Sequence, residues 1–225
     1  MCILEQAFFN QDACDVARQL LGKVIRRKYK QQWLAPRIIE TEAYYLEDKG
    51  SHASLGFTEK RKALFMPRGT IYMYYARGRD SLNINCRGKG NAVLIKSAFI
   101  FEDTMTGPDA ITIMQELNPL SSGKIRTTEK LCSGQTLLCR SLNLKLTEWD
   151  QKTFDPQQFY FDDIQMTPRK IIQTTRLGIS KGRDETLPYR FIDYDFVRYC
   201  TNNPLTSRSA KKIDKKLLII DNFPV

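Results

Sequence analysis

Arg37-Ile-Ile-Glu-Thr-Glu-Ala-Tyr-Tyr45 is the stretch on which the reading of this chain turns. At the period of a strand, Ile39, Thr41 and Ala43 share one face, and Glu40, Glu42 and Tyr44 share the other. Two carboxylates beside an aromatic ring suit the floor of a pocket that stacks a flat ligand next to a general base. They also suit an edge strand with a solvated acidic face, and these residues alone leave both readings open.

Strand-like runs surround this segment: Lys23–Tyr29, Trp33–Tyr45, Gly69–Tyr75, Ser81–Cys86 and Asn91–Phe101. The Gly-rich turn Arg87-Gly-Lys-Gly90 joins the last two as a hairpin. Before them, Asn10–Leu21 reads as a helix capped by Asn10 or Asp12. Its apolar face is Val16, Ala17, Leu20 and Leu21, and Gly22 ends it. Helical spacing recurs in Asp109–Asn118 and Gly134–Leu142, and short strands return at Phe159–Phe161 and Arg190–Tyr199. Strands cluster, then helices, then strands again, without βαβ alternation. The pattern predicts an α+β fold, a single compact domain with a mainly antiparallel, curved sheet and flanking helices. The domain is expected over 1–206, followed by a basic tail over 207–225. Arg208, Lys211, Lys212, Lys215 and Lys216 make that tail either a phosphate-binding arm or a solvated end.

Composition narrows the function. The chain has 225 residues and a formal net charge of +10, which favours an acidic partner such as nucleic acid, with an anionic membrane surface as the rival. No apolar run approaches the ~18 residues of a membrane span, and the start lacks a basic region followed by an apolar one, so neither a span nor a signal peptide is expected. Cys2, Cys14, Cys86, Cys132, Cys139 and Cys200 show no zinc spacing, and the sole histidine, His52, is remote from all of them. No metal site and no disulfide framework are expected. A chain of this size without a secretory signal is expected in the cytosol with reduced thiols. The absence of a Gly-rich phosphate loop, a Ser/His/Asp order or HExxH removes support for nucleotide hydrolysis, acyl transfer and zinc hydrolysis.

Gly69-Thr-Ile-Tyr-Met-Tyr-Tyr75 places Tyr72 and Tyr74 on one strand face and Ile71, Met73 and Tyr75 on the other. The turn Ala76-Arg-Gly-Arg-Asp80 follows, and rings beside guanidinium groups suit bases and phosphates. Taken alone, a Tyr-rich strand is more often ordinary sheet packing. Asn83 and Asn85 alternate with Leu82 and Ile84, so either a polar ligand or an exposed face lies next to them.

Taken together, Ile39-Glu-Thr-Glu-Ala-Tyr44, His52, Met66-Pro-Arg-Gly-Thr-Ile-Tyr-Met-Tyr74, Leu82-Asn-Ile84, Gly90 with Ala92-Val-Leu94, Leu131-Cys-Ser-Gly134 and Thr175-Arg-Leu-Gly178 resemble, in order and spacing, the alkyladenine (3-methyladenine) DNA glycosylases. The resemblance runs from about Phe8 to Phe196. It implies a monofunctional enzyme of base excision repair that flips an alkylated or deaminated purine out of double-stranded DNA and hydrolyses its N-glycosidic bond. It also implies a monomer acting without a cofactor, in the nucleoid of a bacterium or the nucleus of a eukaryote. Carried over position by position, Glu42 is the base that activates water, and Leu177 helps hold that water through its backbone. Tyr44, His52 and Tyr74 contact the flipped base, and Asn83 screens the pocket against guanine's exocyclic amine. Extrusion costs a few kcal/mol and is easiest for damaged bases, and electron-rich tyrosine faces favour a cationic purine by ~1–2 kcal/mol.

Two positions depart from the family pattern. Lys96 stands where the family has an arginine that orients the water. It keeps the charge but not the planar fork, so slower hydrolysis is expected. The residue that fills the gap left by the flipped base falls in the turn Arg77-Gly-Arg79, with Arg77 the best match and Tyr75 the fallback. These departures leave a rival reading, a protein that recognises damaged nucleic acid without cutting it. A related enzyme of RNA is a third.

Overall fold

The computed structural model describes residues 2–76, 78–206 and 218–221. Helix α1 (Ala13–Gln19) is shorter than the periodicity predicts, because Asp12 takes the cap and its carboxylate accepts the Cys14 N–H at 2.9 Å. Gly22 follows the helix at φ +89°. A Cβ there would stand 2.3 Å from the Met166 carbonyl oxygen, so the chain can turn into the sheet only with glycine.

The strands are β1 (Val24–Tyr29), β2 (Gln32–Leu34), β3 (Pro36–Tyr44), β4 (Ile71–Ala76), β5 (Arg79–Asn85), β6 (Ala92–Ile100), β7 (Phe159–Asp162), β8 (Lys170–Thr174), β9 (Arg190–Asp193) and β10 (Leu218–Asp221). They form a ten-stranded sheet in the order β10-β8-β9-β3-β6-β5-β4, with β1 linking β2, β3 and β7 off that path. Neighbours run antiparallel, as in the β4–β5 and β5–β6 hairpins. Helices α2 (Ala110–Leu117), α3 (Gln135–Ser141) and α4 (Leu146–Trp149) complete the α+β domain. The main core joins α1, α2 and α3 to the sheet through residues such as Leu20, Ile38, Ala43, Ile95, Met114 and Leu138.

Several expectations are revised. Trp33–Tyr45 is two strands rather than one. Lys30 and Gln31, at φ +47° and +62°, fold β2 back onto β1, and Pro36, which has no N–H to give a ladder, starts β3. The run Arg190–Tyr199 is a strand only to Asp193, whose side chain accepts the Asp195 N–H and starts a 3-10 turn. Strand β8 carries no clear alternation and was not expected. Residues 218–221 pair with β8, so this part of the C-terminal segment extends the sheet. The basic residues Arg208, Lys211, Lys212, Lys215 and Lys216 lie outside the described residues.

The decisive revision concerns β3. Ile38, not Ile39, joins the core with Ala43, while Ile39 packs with Ile172, Ile192 and Cys200 in a separate cluster. The cause is an irregularity in the β3–β6 ladder, where pairing shifts between Ile38 and Glu40 and again between Glu40 and Thr41. On β6, Ile95 and Ala98 belong to the core, while Lys96 reaches Glu42 and Ser97 reaches Glu40. Each strand thus turns two consecutive residues away from the core at the level where the carboxylates lie.

Candidate functional site

Glu42 lies on the central strand β3, between Leu94 of β6 and Arg190 of β9. Its side chain is fully buried. Oε1 accepts the Leu177 backbone N–H at 3.0 Å, and Oε2 accepts the Tyr44 hydroxyl at 2.8 Å and the Lys96 ammonium at 3.3 Å. Burial by itself raises the pKa of this carboxyl. The Lys96 and Arg190 charges, the Leu177 N–H and the Tyr44 hydroxyl outweigh it and hold Glu42 below its ordinary value of 4.5. The result is a carboxylate that is charged at neutral pH.

Glu40 has partners of its own. The Arg190 guanidinium closes on Glu40 at 2.6 Å, and Ser97 and Thr201 donate hydroxyls to it at 2.5 and 2.6 Å. Ser97 in turn accepts the Gly134 N–H at 3.0 Å, which ties the loop before α3 to the floor of the site. Glu40 is therefore satisfied by its own cation, and Arg190 has charge left to act on Glu42.

Above this floor opens a cavity of about 640 Å³, within the range of small-ligand pockets. Tyr44, His52, Tyr72, Tyr74 and Asn83 line it, with Lys96, Leu177 and Arg79. Tyr72 and Tyr74, two apart on β4, lie nearly parallel with ring centres 5.7 Å apart. His52 meets the Tyr74 ring edge-on at 4.3 Å, and its Nδ1 lies 2.9 Å from the Tyr72 hydroxyl. Partial burial, then the Arg61 and Arg183 charges, lower the His52 pKa, so the imidazole is neutral near pH 7. Tyr44 is pushed well above the ordinary phenol range by burial and by Glu42, which keeps its hydroxyl a donor to the carboxylate. Asn83 is buried opposite Tyr72, and its amide donates to the Tyr72 carbonyl oxygen at 3.2 Å.

The structure thus brings together Glu42, Tyr44, His52, Tyr74, Asn83, Lys96 and Leu177. Leu177 acts on the carboxylate itself. Arg79 reaches the rim, while Tyr75, on the other face of β4, is 56% exposed at the hairpin end; Arg77 lies outside the described residues.

Other contributors carried little signal. Arg176 lays its guanidinium 4.6 Å from the Tyr44 ring centre, pairs with buried Asp48 and donates to the Ala43 carbonyl oxygen at 3.2 Å. Gln135, at the start of α3, donates to the Tyr74 hydroxyl at 3.3 Å. Only Tyr72 was legible beforehand, through the strand face it shares with Tyr74.

Beside the cavity lies a concavity of about 360 Å³ lined by Arg79, Arg140 and Lys145, with Arg79 and Thr136 common to both. Partial burial, then the Arg140 and Arg79 charges, lower the pKa of Arg126. Among the described residues no cluster of His, Cys, Asp and Glu could hold a metal ion, and no helix is long and apolar enough to cross a membrane. The six cysteines are free thiols.

The chain matches the methylpurine-DNA glycosylase family over residues 7–196. A protein of Pseudomonas syringae pv. tomato is 60% identical over 202 residues, 90% of this chain and 91% of the relative. One from Pseudomonas aeruginosa is 57% identical over 215 residues, 96% and 90% of the two chains. A more distant relative from Clostridium beijerinckii is 33% identical over 195 residues, 84% and 94%. All three are provisionally named 3-methyladenine DNA glycosylase. With the match running through nearly every element that builds the cavity, this chain belongs to the methylpurine-DNA glycosylase family.

Proposed function

We propose that this protein flips an alkylated or deaminated purine out of duplex DNA and hydrolyses its N-glycosidic bond with a water activated by Glu42. The observation that carries this reading is a buried, charged carboxylate hydrogen-bonded to Tyr44, Lys96 and Leu177, three residues that line an aromatic cavity. The extruded base enters among Tyr44, Tyr74 and His52. Water attacks C1′ of the sugar, Glu42 takes a proton from that water, and the bond from C1′ to the purine nitrogen breaks with its electron pair going to the base. An alkylated cationic purine leaves as a neutral molecule, so for it one carboxylate and one water are enough; a neutral base such as hypoxanthine must also take up a proton from solvent as it leaves. Lys96 holds the carboxylate charged and positioned. Asn83, fixed by its bond to the Tyr72 carbonyl oxygen, screens the entering base against guanine's exocyclic amine. The β4–β5 hairpin, with Tyr75 and Arg79 exposed, meets the DNA beside the lesion, and the protein acts as a monomer on double-stranded DNA.

Base release is measured from duplex oligonucleotides carrying hypoxanthine or ethenoadenine and from methylated DNA, with wild type and Glu42→Gln in parallel. A general base contributes about 10²–10⁴-fold, and a loss of that size with DNA binding intact is the expected result. Tight lesion binding by wild type without release would identify a recognition protein instead.

A further inference from the structure

Among the described residues that line the cavity, Lys96 is the only lysine. Its ion pair with Glu42 accounts for its charge but not for its chemistry. A primary amine is a nucleophile once it loses a proton, whereas a guanidinium in a protein does not give its proton up. The lysine therefore brings to this cavity a reactivity that an arginine in its place would lack.

The strand places that amine well. Of the two consecutive β6 residues turned away from the core, Ser97 is taken up by Glu40 and the Gly134 N–H. Lys96 meets Glu42 Oε2 at 3.3 Å and lines the cavity. Glu42 does not depend on this contact alone. Oε1 keeps the Leu177 N–H at 3.0 Å and Oε2 the Tyr44 hydroxyl at 2.8 Å, so the carboxylate stays hydrogen-bonded when the flexible lysine stem moves its nitrogen away. A water within hydrogen-bond reach of Glu42 and within about 3.5 Å of C1′ puts the sugar one water's breadth from the carboxylate that Nζ already touches. Base release turns C1′ into the anomeric carbon of an abasic sugar, which opens to an aldehyde. Aldehydes and primary amines condense to imines.

We propose that Lys96 condenses with C1′ of the abasic sugar to form an imine, a reversible covalent hold on the product DNA. The proposal rests on the glycosylase reading given above for the origin of that sugar. Glu42 takes one proton from the Lys96 ammonium. The amine attacks C1′, the N–C bond forms, and the carbonyl π pair moves to the oxygen, which takes a proton from the nitrogen. Glu42 returns its proton to the new hydroxyl, which leaves as water while the nitrogen lone pair closes the C=N bond. Ammonium and aldehyde thus become protonated imine and water, with no net proton, oxidant or reductant required. Attack by water on the imine reverses the sequence and frees the DNA.

The test uses duplex DNA whose abasic site is made beforehand by a separate uracil-removing enzyme, so that it needs no base release by this protein. Borohydride reduces an imine to a stable amine link, and the protein–DNA adduct survives denaturing electrophoresis. Wild type is expected to yield this adduct, and digestion with mass spectrometry should place it on the peptide containing Lys96. Lys96→Arg and Lys96→Met, each verified as folded by a thermal melt, are expected to lower the yield by about tenfold or more. The mapping on wild type decides the matter even where a variant fails to fold. No adduct with wild type, a link mapped to another amine, or an undiminished yield from a folded variant overturns the proposal. An adduct at Lys96 with no base release by wild type from any lesion would instead remove the glycosylase reading and leave the lysine chemistry standing.

Discussion

The Lys96 ammonium stands 3.3 Å from Glu42 Oε2 across the β3–β6 ladder, with 8% of Lys96 and none of Glu42 exposed. A cation so placed favours the charged form of the carboxylate and limits where it points. Lys96→Met is therefore expected to lower kcat/KM by about tenfold or more and to raise the Glu42 pKa, seen as an upward shift of the acid limb of the rate profile. Lys96→Arg keeps the charge and adds a planar pair of donors, so its rate should equal or exceed that of wild type. Single-turnover base release across pH distinguishes the two outcomes.

In wild type the acid limb of kcat/KM should fall below pH 4.5, because the folded protein holds Glu42 ionised below that ordinary value. The same shift acts on stability. Glu42 gives up its proton more readily folded than unfolded, so its contribution is complete above the ordinary carboxylate range. It is lost as pH falls through the lowered folded value. Denaturant melts from pH 6 down to pH 3, for wild type and Glu42→Gln, should show stabilities that converge at the acid end. Parallel curves would argue against a depressed pKa.

Glu40→Gln leaves the Arg190 guanidinium buried without its counter-ion, since Glu40 and Arg190 are 0% and 2% exposed. Breaking a buried pair from one side costs about 3–5 kcal/mol. Removing both charges with Glu40→Gln and Arg190→Met should recover part of that loss, and a double-mutant cycle on denaturant midpoints measures it. Additive losses would show that the two residues do not act as a pair.

Arg140 lines the basic concavity beside the cavity, and its charge acts on Arg126. Arg140→Gln is expected to weaken DNA binding on damaged and undamaged duplexes alike. The salt dependence of log K should fall by about one unit of slope, as for the loss of one phosphate contact. Base release at saturating DNA should not change. An unchanged slope would place the DNA elsewhere.

How far the sequence speaks depends on the range over which each interaction acts. The face shared by Glu42 and Tyr44 follows from strand period, and the two residues do meet through a 2.8 Å hydrogen bond. The same period misplaces Ile39, because the ladder irregularity beside it arises from the pairing with β6 and leaves no mark in β3 itself. Arg176 and Arg190 were invisible for a related reason. Their partners Asp48 and Glu40 are separated from them by 128 and 150 positions, and nothing local distinguishes an arginine destined for burial from one on the surface. Tyr72 and Tyr74 were legible as a face but not as a pocket wall, since a wall needs the opposite side, supplied by His52 and Gln135.

The two halves of the cavity are built from material of unequal permanence. Glu42 sits on β3, hydrogen-bonded on both sides by β6 and β9, where amide protons exchange only when much of the sheet comes apart. His52, Leu55 and Phe57 sit on a segment held by short turns and one guanidinium, which can open while the sheet stays closed. Hydrogen exchange should therefore find the slowest and some of the fastest amides of the protein facing each other across one cavity. Opening of this kind would let a ligand into and out of the cavity without disturbing Glu42.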